Sequence, residues 1–426
     1  MREESLYRRF DWLTVGLYFI LLLISIPNIY ATVFTIGNEV DLLSMHHVAG
    51  KQILWIVVAS FIALVLVLLD FRLYFSLAFF AYLLSVISLL GVLVIGVEVN
   101  GAKAWYEIGS FRIMPAEFAK VGVALGLAKY FDSTNVRFGI NTETLTTIGI
   151  IILPSVIILA QNETGSILVL FSFAIMFYRQ GLHFIIPLSG IIFATLFIAT
   201  VAFITFDKDI LVLDGIITGV FFILAFIQRK KRQILILIAI LLSSFIGIIH
   251  STSYIFPKLP SHQQDRIKAL LNPGPYKRTV AYQSVNAMKG ISSGYWNGSG
   301  YLKGSLTQTN FIPEQHTDFI FTTVAEEHGF WGSAFLVIVY LGLISRIVYL
   351  SERQKSTFAR VFGYCLLSAL LFHFIVNVGM TIGLVPVVGI PLPFVSYGGS
   401  SLWAFTIMLF IFLKLDVHRS QILARD

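Results

Sequence analysis

An all-α bundle of membrane-crossing helices is the fold class this sequence predicts, and three observations predict it. Of 426 residues, 57% are hydrophobic and only 12% are charged, whereas a soluble domain averages about 25% charged. Mean hydropathy is +0.84. Apolar runs close to the ~20 residues that one bilayer crossing needs recur from end to end. Backbone groups in lipid must pair within their own segment, so these runs are helices rather than isolated strands. One polytopic membrane domain over 1–426 is expected, not a string of soluble domains.

Spans are expected near 11–31, 53–69, 73–98, 115–131, 145–160, 164–178, 182–206, 210–228, 233–255, 330–350, 358–383 and 400–415. That makes about twelve crossings. The first run is too long for a signal-peptide core and no small-residue cleavage site follows it, so it should stay as an anchor. The eighth is interrupted by Asp214, yet dropping it would move the basic run Arg229 to Arg232 to the wrong side. Lys and Arg in short connections set orientation. With a cytoplasmic N-terminus most basic residues fall inside, and the short outer connections keep only Lys51, Lys103, Arg112 and Lys208. Both termini are then cytoplasmic.

Three irregular segments face outward, at 96–115, 256–328 and 383–401. Irregular backbone at membrane depth must be buried in protein or line a wet cavity, so the three are expected to converge into one crevice. The long segment holds Lys258, Arg266, Lys268, Lys277, Arg278, Lys289 and Lys303, a basic character that suits either a solvated face or an anionic headgroup. The formal charge of +7 follows the topology and does not point to nucleic acid. Cys365 sits alone in an apolar run, as a buried structural thiol.

In "RIMPAEFAK", Pro115 suits a first helical turn, Glu117 lies near the positive helix end, and Lys120 follows on the same face. The pair reads either as a helix start with a local ion pair or as a polar site at the outer membrane boundary. In "QNETGS", Glu163 is placed as a first-turn acid of the next helix. "SSGYWNGSGYLKGS" is no P-loop, because no Gly-Lys-Ser/Thr closes it and no strand precedes it. The stretch "NFIPEQHTDFIFTTVAEEHG" gathers Glu314, His316, Asp318, Glu326, Glu327 and His328. Asp318 stands where polar loop turns into apolar helix. A carboxylate there can hold or release a proton according to its burial, as a general base must; a helix-starting role fits the same position equally well. His316 and Asp318 lack the spacing of a zinc-binding helix, so no tightly bound zinc is expected.

Together these pieces resemble the SEDS (shape, elongation, division and sporulation) family of bacterial membrane proteins. The resemblance rests on "NGAKAWYEIGSFRIMPAEFAK", "QNETGS", "RIKALLNP", "QTNFIPEQHTDFIFTTVAEEHG" and "NVGMTIGLVPVVGIPLPFVSYGGSS", which keep the family's order. "AEE" after "HTDFIF" and the Pro/Gly segment look more like the elongation branch, RodA, than the division branch, FtsW. The family core has about ten spans, so the resemblance makes 207–232 an inserted hairpin and 256–328 a large extracytoplasmic loop carrying the active site.

The resemblance implies a multi-pass peptidoglycan glycosyltransferase of the bacterial cytoplasmic membrane, its active site facing outward. The implied substrate is lipid II, a disaccharide-peptide on undecaprenyl pyrophosphate. A class B penicillin-binding protein transpeptidase and other elongation-complex membrane proteins are the implied partners, and magnesium or manganese the implied cofactor. Asp318 falls on the family's essential aspartate, as the general base. Trp105, Glu117 and Lys120 fall on its outer-loop tryptophan and its acid–lysine pair; with Arg266, Lys303, Glu314, His316, Thr317 and Ser396 they are the expected substrate-binding residues. Two departures matter. The usual Gln-Pro-Asp is Gln161-Asn162-Glu163, and Gln315 stands where arginine is common, so no arginine-dependent headgroup contact carries over there. A lipid II flippase, which many spans and Gly/Pro-broken helices would suit, and a non-catalytic scaffold of the wall-synthesis complex are the rival readings. The polar groups gather on the outer face rather than at the midplane and no inverted repeat is visible, which ranks the polymerase first.

Overall fold

The computed structural model describes residues 10–419 apart from 35–43, 45, 46, 100, 110, 135, 137, 140, 230, 231, 260, 278, 280 and 310. Every expected span is helical. In order they are α1 (Trp12–Val33), α2 (Val48–Leu68), α3 (Arg72–Ile95), α4 (Pro115–Ser133) and α5 (Thr142–Ala160). The sixth is the broken pair α6 (Thr164–Phe171) and α7 (Ala174–Arg179). Then follow α8 (Ile185–Thr205), α9 (Ile210–Ile227), α10 (Arg232–Ile255), α11 (Ser261–Leu271), α12 (Tyr282–Ser293), α13 (Ser305–Gln308), α14 (Ile320–Glu352), α15 (Thr357–Thr381) and α16 (Gly399–Val417). Ten of the described helices are long and apolar enough to cross a membrane, and the chain is a multi-pass membrane protein. The two remaining expected spans fall short for physical reasons. Helix α4 carries Glu117, Lys120, Lys129 and Asp132, and the α6–α7 pair is interrupted at Ser172 and Phe173.

Two stretches expected as loop have regular structure. The segment after α3 forms an antiparallel sheet of β1 (Val97–Val99), β2 (Ala102–Ile108) and β3 (Phe111–Ile113), with Val97 opposite Trp105 and Tyr106 opposite Ile113. Helix α14 begins at Ile320, inside the expected loop 256–328 but where the sequence already turns apolar after Asp318, runs on through the span expected at 330–350, and is broken at Gly329 (φ 64, ψ -157). The segment 295–300 docks on the break. Phe330 N–H donates to the Tyr295 carbonyl at 2.9 Å, Ser299 N–H to Glu326 O at 2.9 Å and Gly300 N–H to Glu327 O at 3.0 Å. Backbone groups freed by the break are thus paired within protein, as apolar surroundings demand. Only glycine fits: a Cβ on Gly298 would strike the Glu327 carbonyl, and one on Gly329 the Gly298 nitrogen.

The chain forms two compact units. The first comprises 1–182, 286–382 and 388–426. Within it α4 packs against α3, α5, α15 and α16, and α14 against α1 and α15. Proline at its first position starts α4, and the helix is buried from Met114 to Ala128 except at Phe118. A helix buried all round belongs in a core. The second unit, 183–285 with 383–387, is built from α8, α9 and α10 with α11 against α8. Asp214, which interrupts the apolar run of α9, meets His250 Nε2 of α10 at 3.0 Å, so the helix continues with its acid paired.

Candidate active site

The turn 314–319 is set by Glu314, which adopts a left-handed backbone (φ 54). Its carbonyl accepts the Asp318 N–H at 3.0 Å and the Thr317 N–H at 3.2 Å, and the Thr317 hydroxyl lies 3.3 Å from Glu314 Oε2. Non-glycine residues pay strain for this geometry and keep it only where surroundings fix it. The fixing contacts are buried: Gln315 Nε2 donates to Thr307 Oγ1 at 3.0 Å and to Thr323 Oγ1 at 2.9 Å. Asp318 is delivered just ahead of α14, half-buried. Burial, reinforced by the carboxylates of Glu314 and Glu163, pushes its carboxyl up to about 7, against the favourable Thr317 hydroxyl. Burial also raises the Glu163 carboxyl, helped by Glu117 and opposed by the Ser166 amide and Lys120. Three acids therefore share one field, and the field of Glu163 extends to the pair on α4.

That pair is buried. Lys120 is 1% exposed; its Nζ lies 2.7 Å from Glu117 Oε2 and 3.1 Å from His373 Nε2, with the Phe405 ring 5.2 Å away. His373 Nδ1 donates to the Pro391 carbonyl at 2.8 Å. One turn on, Asn377 Nδ2 donates to Asp318 O and to Ile390 O, both at 2.8 Å. Neither His373 nor Asn377 was singled out by sequence reasoning. The available signal was a polar pair four residues apart in the apolar run "LLFHFIVNVGM".

The remaining expected residues are placed as follows. His316 is half-buried, its carbonyl accepting Tyr397 N–H at 2.9 Å; burial lowers its imidazole against the pull of Glu314. Ser396 Oγ accepts Leu392 N–H at 2.8 Å and so locks the turn that precedes α16. Trp105 is half-buried on β2, and the same strand is tied to the α5–α6 corner by Lys103 N–H donating to Gln161 O at 3.0 Å. Lys303 is exposed ahead of α13, and Arg266 is exposed on α11 in the second unit. The turn 314–319 and the segment 388–397 thus meet, while Arg266 belongs to the other compact unit. Among the described residues no three His, Cys, Asp or Glu side chains assemble as a metal-ligand set, and no catalytic step is routed through a metal ion. An open groove of about 560 Å³ between α1 and α14, lined by Leu23, Pro27, Asn28, His328 and Phe335, lies apart from Asp318.

Comparison with known proteins gives the same frame. The solved structure described as "Structural coordination of polymerization and crosslinking by a peptidoglycan synthase complex" contains a similar chain, with a TM-score of 0.69 at 24% identity over 97% of this chain and 99% of that one. The Thermus thermophilus rod shape determining protein RodA matches with a TM-score of 0.61 at 22% identity, over 96% of this chain and 97% of that one. In sequence, peptidoglycan glycosyltransferase MrdB of Escherichia coli K12 is 29% identical over 82% of this chain and 80% of its own length. Peptidoglycan glycosyltransferase RodA of Treponema pallidum is 28% identical over 97% of this chain and 98% of its own length. The model of the FtsW, RodA and SpoVE cell cycle proteins matches residues 11–214 and 191–421, and the chain belongs to that family.

Proposed function

We propose that this chain is a peptidoglycan glycosyltransferase that polymerises lipid II at the outer face of the bacterial cytoplasmic membrane, for cell elongation and shape. The observation that carries the reading is Asp318: a half-buried carboxyl with its proton affinity raised to about 7 by burial and two neighbouring acids. A general base works best when its pKa lies near the working pH. Relatives named peptidoglycan glycosyltransferase align over most of the chain, and the RodA relatives favour the elongation branch.

In this reading Asp318 takes the proton from the acceptor sugar's 4-hydroxyl as that oxygen attacks the donor anomeric carbon. The new glycosidic bond forms on the opposite face while the bond to undecaprenyl pyrophosphate breaks, inverting the centre. Charge growing on the leaving diphosphate needs cationic stabilisation. Exposed Lys303 suits direct contact with it, whereas Lys120, held by Glu117 and His373, suits a role through the field at Glu163. The bias of Lys and Arg along the chain supports the outward orientation. The similarity to a chain from a polymerising and crosslinking complex supports a class B penicillin-binding protein as partner.

Purified chain and partner, given lipid II in detergent, test the proposal. Wild type should make glycan polymer, and Asp318→Asn should lose on the order of 10²–10⁴ in rate while still accumulating in the membrane. Normal polymerisation by the variant removes the base assignment. Absence of polymer together with lipid II transfer across sealed vesicles moves the reading to a flippase.

A further inference from the structure

Helix α15 reaches both halves of the candidate site with two side chains one turn apart. His373 and Asn377 are 1% and 0% exposed, in a helix interior where a polar group is kept only with partners. The partners belong to three different chain segments. His373 joins Lys120 of α4 to the carbonyl of Pro391, and Asn377 joins the carbonyl of Asp318 to that of Ile390. The chemistry fixes the direction of each bond. A carbonyl only accepts, so the His373 proton resides on Nδ1; its Nε2 then carries a lone pair and accepts from the Lys120 ammonium. Both Asn377 partners are carbonyls, so its amide nitrogen faces them and its Oδ1 has no partner. The His373 and Phe405 rings meet at 84°, centroids 4.9 Å apart, which fixes the imidazole plane.

We propose that His373 and Asn377 are positioning residues: a two-residue staple on α15 that sets the offset between the Asp318 carboxylate, the Glu117–Lys120 pair and the backbone at 390–391. The inference deepens the glycosyltransferase reading and rests on it for its kinetic consequence. Neither side chain touches the reacting atoms. His373 acts through Lys120, and Asn377 acts through the backbone that carries Asp318.

The test uses the purified full chain with its transpeptidase partner and lipid II in detergent. His373→Phe keeps a ring against Phe405 but removes both hydrogen bonds. Its kcat should fall at least about tenfold, toward the ~10²-fold that a displacement of about 1 Å can cause, with KM within about twofold of wild type. His373→Gln offers an acceptor and a donor on one planar group and should recover most of that loss. Asn377→Leu should show the same kcat-weighted loss; an unchanged kcat there removes Asn377 from the staple. A His373→Phe enzyme as fast as wild type, a loss confined to KM, or a Gln variant no better than Phe each overturns the role of His373. If wild type makes no polymer, the glycosyltransferase reading fails by itself, and a second measurement decides the staple. Nitrogen NMR of isotopically labelled histidine in the full chain should show His373 as the Nδ1–H tautomer, with an Nε2 signal that moves in Lys120→Met. A doubly protonated ring, or an Nε2 signal indifferent to Lys120→Met, sinks it.

Discussion

Thr307 gives both its backbone N–H and its hydroxyl to a single oxygen, Glu326 Oε2, at 3.0 and 2.7 Å. The other carboxylate oxygen accepts the Leu306 N–H at 2.8 Å. Glu326 therefore satisfies the free amides at the start of α13 from inside α14, with no exposure to solvent. Glu326→Ala should destabilise the chain by about 3 kcal/mol, because it strands several buried donors at once. Glu326→Gln, which keeps one acceptor oxygen, should lose less. Thermal unfolding of the detergent-purified chain ranks the two.

Asp318 makes both stability and turnover depend on pH. The folded chain holds this proton up to about 7, whereas an unfolded aspartate releases it near its ordinary value of about 3.9. The folded state binds the extra proton between those limits, so this group's contribution to stability falls as pH rises through that window and levels off above it. Asp318→Asn removes the effect: the variant should melt above wild type at about pH 8 and lose that advantage near pH 4. Turnover by a base needs the ionised form, so kcat/KM should rise through about 7. Glu163→Gln removes a repelling charge, lowers the Asp318 pKa and should move that rising limb to lower pH.

Gly298 and Gly329 both have positive φ, of 79 and 64, and lie against each other's backbone at the break in α14. Gly298→Ala and Gly329→Ala should each cost at least about 2 kcal/mol, from backbone strain before any collision is added. Unfolding midpoints against Gly149→Ala, where a Cβ meets nothing within 4 Å, separate the effect from a generic loss of glycine.

Asp416, fully buried on α16, accepts Arg353 Nε at 2.9 Å and Gln354 Nε2 at 2.7 Å. Asp416→Ala leaves the guanidinium half-buried without its anion and should destabilise by about 3 kcal/mol. The apolar pair Arg353→Met with Asp416→Leu should lose less than the single change, since a buried ion pair owes much of its apparent strength to the cost of breaking it. Denaturant titration of the three chains compares them.

The helices were legible because lipid enforces uninterrupted apolar runs, and even Asp214 did not hide α9. The turn from polar loop to apolar helix at Asp318 was legible too, but not the burial of the first turns of α14: Thr323 and Glu326 are satisfied there by Gln315 and Thr307, whose proximity no local pattern encodes. The sheet at 97–113 went unread because its strands are three to seven residues long. Asp318, Glu314 and Glu163 each stood out as acids beside apolar runs, but their shared field depends on where α6 and α14 pack. His373 and Asn377 stayed hidden because their partners are mainly carbonyls and a buried lysine from distant segments.

The part of α14 after the break, Phe330 to Glu352, rises about 35 Å, enough by itself to cross hydrocarbon about 30 Å thick. The portion before Gly329 is surplus to that crossing and is the one sheathed by the chain's own loop. Exposed Phe330 and Trp331 mark the waterline, being of the aromatic kind that settles at headgroup depth. On the proposed function, a sugar on a lipid tether would meet Asp318 beyond that crossing while its tail stays in the acyl layer.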